Sequence, residues 1–191
     1  MSLTEVDWST IPAPSDDGKA AHLEGMNVPD ISLPATKGAS VNLSSQRGIT
    51  VVYVYPMTGR PDRDLPDGWD MIPGARGCTP QSCAFRDHYA ELQGYGADDL
   101  FGLSTQSTEY QQEAAERLHL PFALLSDDDL AFGKALDLPG FRADGQDLHK
   151  RLTMIIRDGV IAKVFYPVFP PDQDVENVIG WLRDNVEGQT G

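Results

Sequence analysis

The strongest hydrophobic pattern along the chain is a run of β-branched and aromatic residues at 49–55 (ITVVYVY). A near-continuous apolar run of this length is typical of a strand that is buried on both faces. Two later apolar runs are joined by Arg157-Asp158-Gly159, and Asp-Gly between such runs favours a hairpin turn. The predicted strands are 27–34, 39–42, 49–55, 100–104, 122–125, 152–156 and 160–166.

Apolar residues at helical spacing predict four helices between and after these strands. Thr79 can cap the first of them, with Pro80 at its first position, and Thr108 and Gln111 have capping-box spacing in the second. The order βα, βα, β, α, ββ, α predicts an α/β thioredoxin-like fold, in which helices flank a central mixed β-sheet. The predicted helices are 79–93, 108–118, 129–136 and 174–186.

Two segments lack a regular pattern. Residues 1–20 are polar and rich in Pro, Asp and Ser, and we expect an extended arm without a fold of its own. Residues 56–80 contain five Pro and four Gly, which predicts a long irregular connection. Connections of this length are uncommon and often functional. The remaining residues, 21–191, are predicted to form one domain.

Composition narrows the function classes. The chain has 191 residues with 15 Lys and Arg against 29 Asp and Glu, for a net charge of −14. Such a chain repels polyanions, so we expect no nucleic-acid partner. The longest apolar stretch falls far short of the roughly 20 residues of a membrane span. Residues 1–17 lack the apolar core of a signal peptide, which favours a cytoplasmic location.

The two cysteines, Cys78 and Cys83, lie five positions apart and do not form a secreted disulfide framework. Cys78 stands at the start of a predicted helix, where free N–H groups and the helix dipole favour thiolate over thiol. A free cysteine has a pKa near 8.5, and helix N-termini lower it.

Other interpretations of the pair are inert buried thiols, a zinc site and a general thiol–disulfide oxidoreductase. Structural zinc needs four ligands, and the partner nearest in sequence is His88 on the same predicted helix. A Cys-x-x-Cys motif is absent. No Ser or Asp arrangement around the four histidines suggests a catalytic triad. We therefore expect no metal and no cofactor.

Residues 77–87 (GCTPQSCAFRD) resemble the active-site helix of the peroxiredoxins, most closely the Q subfamily of the bacterioferritin comigratory protein type. That subfamily carries Gly-Cys-Thr, then Glu or Gln, then a second Cys five positions after the first, then Phe-Arg-Asp. The resemblance runs in family order from about residue 25 to residue 186. Its further segments are 52–56 (VYVYP), 101–104 (FGLS), 120–127 (LPFALLSD) and 151–159 (RLTMIIRDG).

The resemblance implies a thiol peroxidase that reduces hydrogen peroxide and organic hydroperoxides. Cys78 would be the peroxidatic cysteine, which becomes a sulfenic acid, and Cys83 the resolving cysteine of an intramolecular disulfide. Arg151 would support the thiolate and polarise the peroxide, and Pro56 would shield the pocket. Thioredoxin or a similar dithiol would recycle the oxidised form. We expect the protein to be a monomer or a homodimer.

Two physical checks bear on these roles. In a regular helix, residues five apart have Cα atoms roughly 8.7 Å apart, whereas a disulfide needs about 4.4–6.8 Å. If Cys83 resolves Cys78, the first helical turn must therefore unwind in each cycle. Negative surroundings also raise a cysteine pKa, so a local cation is needed. Arg151 is the candidate, with Arg76 and Arg86 as neighbours in sequence.

The chain departs from the family where Pro and Thr or Ser normally stand seven and three positions before the peroxidatic cysteine. Those positions are Met71 and Ala75 here, because a loop is inserted at about 57–75. Thr58 could fold back to supply the missing hydroxyl, or a backbone N–H could replace it. The inserted loop, with Trp69, is either a lid or interface or a plain surface loop.

The competing hypothesis is a non-catalytic thioredoxin-fold module that senses oxidation or binds partners. Ala75 in place of the family's hydroxyl residue is its best support. It predicts a slow reaction of Cys78 with peroxide.

Overall fold

The computed structural model describes residues 6–186, so the outer ends of the predicted arm and domain lie outside the described residues. The strands in chain order are β1 (Ser32–Pro34), β2 (Ser40–Asn42), β3 (Ile49–Val54), β4 (Asp99–Ser104), β5 (Leu124–Ser126), β6 (Gly140–Ala143), β7 (Gln146–His149), β8 (Leu152–Arg157) and β9 (Val160–Phe165). The α-helices are α1 (Cys78–Asp87), α2 (Tyr89–Gly94), α3 (Thr108–Arg117), α4 (Ala131–Leu136) and α5 (Asp174–Asn185).

Five strands form the central sheet in the order β5-β4-β3-β8-β9. The pairs β3–β4 and β4–β5 are parallel, and the pairs β3–β8 and β8–β9 are antiparallel. The sheet is therefore mixed, and with the helices that flank it the expected thioredoxin-like α/β fold is confirmed. Two further two-stranded sheets, β1–β2 and β6–β7, lie outside it.

Both faces of the sheet are covered, which explains the continuous apolar run of β3. All six residues of β3 are buried. Its alternate side chains enter two separate cores: Val51 and Tyr53 pack with α1, α2, α3 and α5, and Val52 and Val54 pack with α4 and the N-terminal segment. Period-two alternation in a strand sends successive side chains to opposite faces.

The pairing of β3 with β8 places the candidate site. Val54 at the end of β3 is the partner of Leu152 at the start of β8, so Arg151 leaves the sheet at the edge where β3 ends. The irregular segment that follows β3 departs from this same edge and returns to it at the start of α1. The topology therefore brings Arg151 and Cys78 to one edge of the sheet.

Most predicted elements are present with small differences at their ends. The predicted helix 79–93 is divided at His88, whose backbone leaves helical geometry (φ −104°, ψ 10°), and whose Nδ1 lies 2.8 Å from the Ala84 carbonyl. Of the predicted strand 27–34, only Ser32–Pro34 is a regular strand. The hairpin of β6 and β7 is an element that the sequence analysis missed.

The two irregular segments pack on the rest of the molecule. In the N-terminal segment, Trp8–Thr10 forms a short 3-10 helix, and the Trp8 ring contacts Phe169 edge to face. In the segment after β3, a second 3-10 helix, Trp69–Met71, carries a buried Trp69 that packs on Phe141 of β6. In the part of the chain that the structure describes, no helix combines the length and apolarity needed to cross a membrane.

Candidate active site

Cys78 is the first residue of α1 and is 3% exposed. Gly77 precedes it with φ 112°, a conformation that favours glycine. A Cβ atom at Gly77 would also lie 2.7 Å from Pro171 Cγ and 2.8 Å from Trp8 Cη2. The start of the helix is therefore packed directly against Trp8 of the N-terminal segment and Pro171 of the turn before α5.

Arg151 lies against Cys78 and is 3% exposed, so it is not a surface strand residue. Its Nη2 is 3.2 Å from Cys78 Sγ. The same nitrogen donates to the backbone carbonyls of Ala75 at 3.1 Å and Arg76 at 3.2 Å. The guanidinium thus ties the loop before α1 to the sulfur, and it supplies a positive charge and an N–H donor where a thiolate would form.

A buried network of side-chain hydrogen bonds extends from Arg151 away from the sulfur. Arg151 Nη1 donates to Gln81 Oε1, and Gln81 Nε2 donates to Asp174 Oδ2 at 2.8 Å. The Thr153 hydroxyl donates to the same Asp174 oxygen. Gln81, Asp174 and Thr153 are each 0% exposed. This network links α1, the start of α5 and β8 in the interior.

Burial raises the pKa of Asp174 to about 6. The hydrogen bonds from Thr153 and Gln81 and the charge of Arg151 act in the opposite direction and keep the increase from being larger. In the structure Asp174 Oδ2 is an acceptor in both of its hydrogen bonds.

A cleft of about 120 Å³ lies beside Cys78. Its walls are largely apolar, and Arg76 is the charged residue that contributes to them. The apolar side chains on these walls come from the N-terminal segment, the segment after β3 and α1: Val6, Met57, Leu65, Trp69 and Pro80. The cleft therefore combines a small volume, apolar walls and a single charged side chain next to the sulfur.

Cys83 lies five residues further along α1, is 8% exposed and, like Cys78, is a free thiol. Burial raises the pKa of the Cys83 thiol, and the nearby Arg86 charge partly opposes this. Both cysteines belong to one unbroken α-helical segment. Sulfur–sulfur bonding between them therefore requires α1 to unwind.

The structure places Thr58 against Gln106, and the shielding role of Pro56 stays a prediction. The Thr58 hydroxyl lies 3.3 Å from Gln106 Oε1, and its backbone N–H donates to the same oxygen at 3.2 Å. Pro56 is buried, but the cleft wall is formed by Met57 and its neighbours instead. The Thr58 hydroxyl therefore contacts the side chain of Gln106, two residues after β4, and does not supply the donor at Cys78.

The backbone alternative to Thr58 is not seen either. Over residues 6–186, Cys78 Sγ receives its hydrogen bond from Arg151 and lies 3.7 Å from the Ala75 carbonyl, an acceptor. Of the other cations, Arg76 pairs with Asp70 at 2.6 Å and Arg86 with Asp87 at 2.9 Å. The described residues contain no cluster of three or more His, Cys, Asp or Glu that could hold a metal ion.

Sequence reasoning missed Gln81 and Asp174. Gln81 was visible as the Gln of the GCTPQSC motif, but the motif does not say what the amide contacts. Asp174 reads as an ordinary acidic residue in the first turn of a helix. Its proximity to Gln81 depends on the packing of α5 against α1, for which the sequence carries no local signal.

The sequence of this chain is similar to those of known proteins. The profile of the Redoxin family matches residues 23–179. Peroxiredoxin Bcp of Escherichia coli (strain K12) is 34% identical over 164 residues, covering 82% of this chain and 93% of the relative. A chloroplastic peroxiredoxin Q of Sedum lineare is 30% identical over 162 residues, covering 84% of this chain and 77% of the relative.

Solved structures resemble the chain as well. The crystal structure of peroxidoxin BcpB from Mycobacterium tuberculosis superposes with a TM-score of 0.70 and 25% identity, covering 87% of this chain and all of that one. A Xanthomonas campestris bacterioferritin comigratory protein, known for its alkyl peroxide reduction activity, has a TM-score of 0.67 at 21% identity and supports the fold alone.

Proposed function

The chain belongs to the Redoxin family and is a peroxiredoxin, a thiol peroxidase, and from that premise we propose which of its residues perform each step. Cys78 is the peroxidatic cysteine, Cys83 resolves it, and Arg151 activates it. The observation that carries the proposal is the distance of 3.2 Å between Arg151 Nη2 and Cys78 Sγ at the start of α1. Hydrogen peroxide and organic hydroperoxides are the proposed substrates.

In the first step, the Cys78 thiolate attacks one oxygen of the peroxide and forms an S–O bond while the O–O bond breaks. The sulfur is oxidised to a sulfenic acid, and the other oxygen leaves as water or an alcohol after it takes up a proton. Arg151 donates towards the sulfur and the peroxide oxygens, where negative charge shifts as the bonds change. Donors fixed in advance at such a position lower the barrier.

In the second step, the Cys83 thiol attacks the sulfenic sulfur, and a disulfide forms as water leaves. Because α1 holds the two sulfurs apart, its first turn unwinds before this step. A dithiol of the thioredoxin class then reduces the disulfide and becomes oxidised itself. A dithiol reductant of this class fits a reducing compartment, which supports a cytoplasmic location.

The test is peroxide consumption coupled to thioredoxin and its reductase. Cys78→Ser is expected to abolish turnover, because the nucleophile is lost. Cys83→Ser is expected to keep the first oxidation of Cys78 but to stop recycling by thioredoxin, since no intramolecular disulfide can form. Mass spectrometry of the peroxide-treated protein should detect a Cys78–Cys83 disulfide. Turnover in Cys78→Ser at the rate of the unsubstituted protein would refute the proposal.

A further inference from the structure

Asp174 is a fully buried carboxylate that touches neither sulfur. Its Oδ2 accepts hydrogen bonds from Gln81 and Thr153, while its buried Oδ1 has no partner within the described residues. A buried charge without an ion-pair partner is costly. Helix capping does not explain it, because Asp174 makes no side-chain hydrogen bond to the start of its own helix in the part of the chain that the structure describes.

The donors and acceptors of Arg151 and Asp174 fix the orientation of the Gln81 amide between them. A guanidinium only donates, and an ionised carboxylate only accepts. A primary amide between the two satisfies both in one orientation alone, with its carbonyl towards Arg151 and its NH₂ towards Asp174. The observed contacts have this orientation. The reverse orientation would set two donors against each other at Arg151 and two acceptors against each other at Asp174.

The orientation of Gln81 bears directly on the sulfur. Gln81 holds Arg151 Nη1, and the other terminal nitrogen, Nη2, contacts Cys78 Sγ. The two nitrogens belong to one planar group, so an acceptor that fixes Nη1 also fixes the position of Nη2. An amide in the wrong orientation would leave Nη1 facing a donor and would displace the guanidinium.

We propose that Asp174 is a positioning residue of this peroxidase, which orients the Gln81 amide and through it holds the Arg151 guanidinium on Cys78. The proposal rests on the roles given to Cys78 and Arg151 above. Asp174 itself contacts no reacting atom. Its Oδ2 accepts both of its hydrogen bonds, which agrees with a role as a pure acceptor.

A reciprocal exchange of amide and carboxylate separates positioning from a merely structural role. Gln81→Glu alone replaces the amide donor to Asp174 with a second carboxylate. Repulsion between the two carboxylates should shift residue 81 and, with it, the guanidinium that it holds. We expect the rate constant for oxidation of Cys78 by peroxide to fall by about 100-fold, as for a misplaced catalytic group. In the double variant Gln81→Glu with Asp174→Asn, the new amide donates to the new carboxylate, and about tenfold of the lost rate should return.

A second readout is the pH dependence of Cys78 alkylation in Cys83→Ser backgrounds. In Gln81→Glu, the pH of half-maximal alkylation should move upwards, because the guanidinium is displaced from the sulfur and a negative charge is added nearby. The double variant should move it back towards the unsubstituted value. If Asp174 and Gln81 contributed only to packing, the substitutions would change stability. The pH profile would then not shift upwards in Gln81→Glu and back in the double variant.

Asp174→Ala tests the carboxylate directly, with Asp127→Ala as the matched control. Asp127 is also 0% exposed; it accepts backbone N–H groups of α4 and contacts His149, and its hydrogen-bond partners in the described residues include neither Cys78 nor Arg151. Both variants should lose stability, but per folded molecule Asp174→Ala should oxidise about tenfold more slowly, and Asp127→Ala should keep its rate. If Asp174→Ala fails to fold, the exchange of residues 81 and 174 remains decisive.

The outcomes also separate this inference from the proposed function. If Cys78→Ser abolishes activity while the double variant is no faster than Gln81→Glu, the inference fails and the proposed function stands. An Asp174→Ala rate equal to that of the unsubstituted protein has the same meaning. If Cys78→Ser retains activity, the proposed function fails first.

Discussion

At the scale of single residues, Arg151 is the hydrogen-bond donor to Cys78 Sγ within the described residues. At position 75, where the family pattern has a hydroxyl, this chain has alanine. The backbone carbonyl of Ala75 lies 3.7 Å from Cys78 Sγ. A carbonyl only accepts hydrogen bonds, so it cannot stabilise a thiolate. The guanidinium is left to supply the donor.

Arg151→Lys should therefore be severely impaired although the charge is conserved. An ammonium group lacks the planar fork that reaches Gln81, the loop carbonyls and the sulfur together. We expect the second-order rate constant with hydrogen peroxide, measured by competition kinetics, to fall by about 100-fold. The control is Arg142→Lys, whose side chain is 68% exposed and pairs with Asp147. Equal rates in the two variants would contradict the role of Arg151.

Asp174 should make the stability of the fold depend on pH. Its folded pKa of about 6 lies above the usual value of 3.8, so the folded state favours the protonated form. The resulting stabilisation is present below pH 3.8 and is lost as the pH rises through about 6, for a total of about 3 kcal/mol. Arg151 is the charged group that acts on Asp174.

Urea unfolding between pH 5 and pH 7.5 measures this effect. The unsubstituted protein should lose roughly 1 kcal/mol over that range through Asp174, and Asp174→Asn should lack this part of the decline because it does not titrate. Identical pH profiles for the two proteins would show that the buried carboxylate does not titrate in this range.

What the sequence could predict at this scale depended on whether a contact is local. Cys78 and the helix that begins at it follow from a contiguous motif. Thr58 could not be placed, because the path of a long irregular segment decides whether its hydroxyl meets Cys78 or Gln106. Asp174 and Gln81 lie far apart in sequence and meet only through the packing of two helices.

At the scale of elements, the segment after β3 is part of the site. The sequence left two interpretations of this segment open, a lid or interface and a plain surface loop. Trp69 of this segment is 4% exposed, packs on Phe141 and also lines the cleft beside Cys78. Leu65, from the same segment, lines the cleft as well. The inserted segment therefore acts as a wall whose apolar side faces the sulfur.

Leu65→Asn should alter the choice of peroxide. Cumene hydroperoxide has an apolar group that can pack on this wall, and hydrogen peroxide has none. We expect the rate constant with cumene hydroperoxide to fall by roughly tenfold, while that with hydrogen peroxide stays the same. Met71→Asn is the matched control, because Met71 belongs to the same segment, is 69% exposed and lies off the cleft wall. An equal loss for both peroxides would contradict a role in substrate choice.

The β6–β7 hairpin that supports this wall shows why some elements escape sequence analysis. Its turn, Asp144-Gly145, has the same dipeptide and the same positive φ angles as the turn Asp158-Gly159 that was predicted. The difference lies in the flanking strands. The residues of β6 and β7 are largely exposed or half-buried, so these strands lack the apolar runs that mark β8 and β9.

At the scale of the whole molecule, the net charge of −14 acts on substrates according to their own charge. Long-range fields change the rate at which charged molecules arrive, and they have little effect on neutral ones. Hydrogen peroxide and simple alkyl hydroperoxides are neutral. The acidic surface therefore permits their reduction, while the positive charge of Arg151 acts locally, where the sulfur is buried.

A peroxide that carries a negative charge should be excluded in a salt-dependent manner. The probe is a small hydroperoxide with a carboxylate, matched in size to neutral tert-butyl hydroperoxide. Raising the ionic strength from about 0.01 M to about 0.1 M shortens the screening length from about 30 Å to about 10 Å. Stopped-flow oxidation of Cys78 by the anionic probe should accelerate several-fold over this range, and oxidation by the neutral probe should not change. A rate that instead falls with salt would mean that Arg76 and Arg151 attract anions to the cleft more strongly than the rest of the molecule repels them.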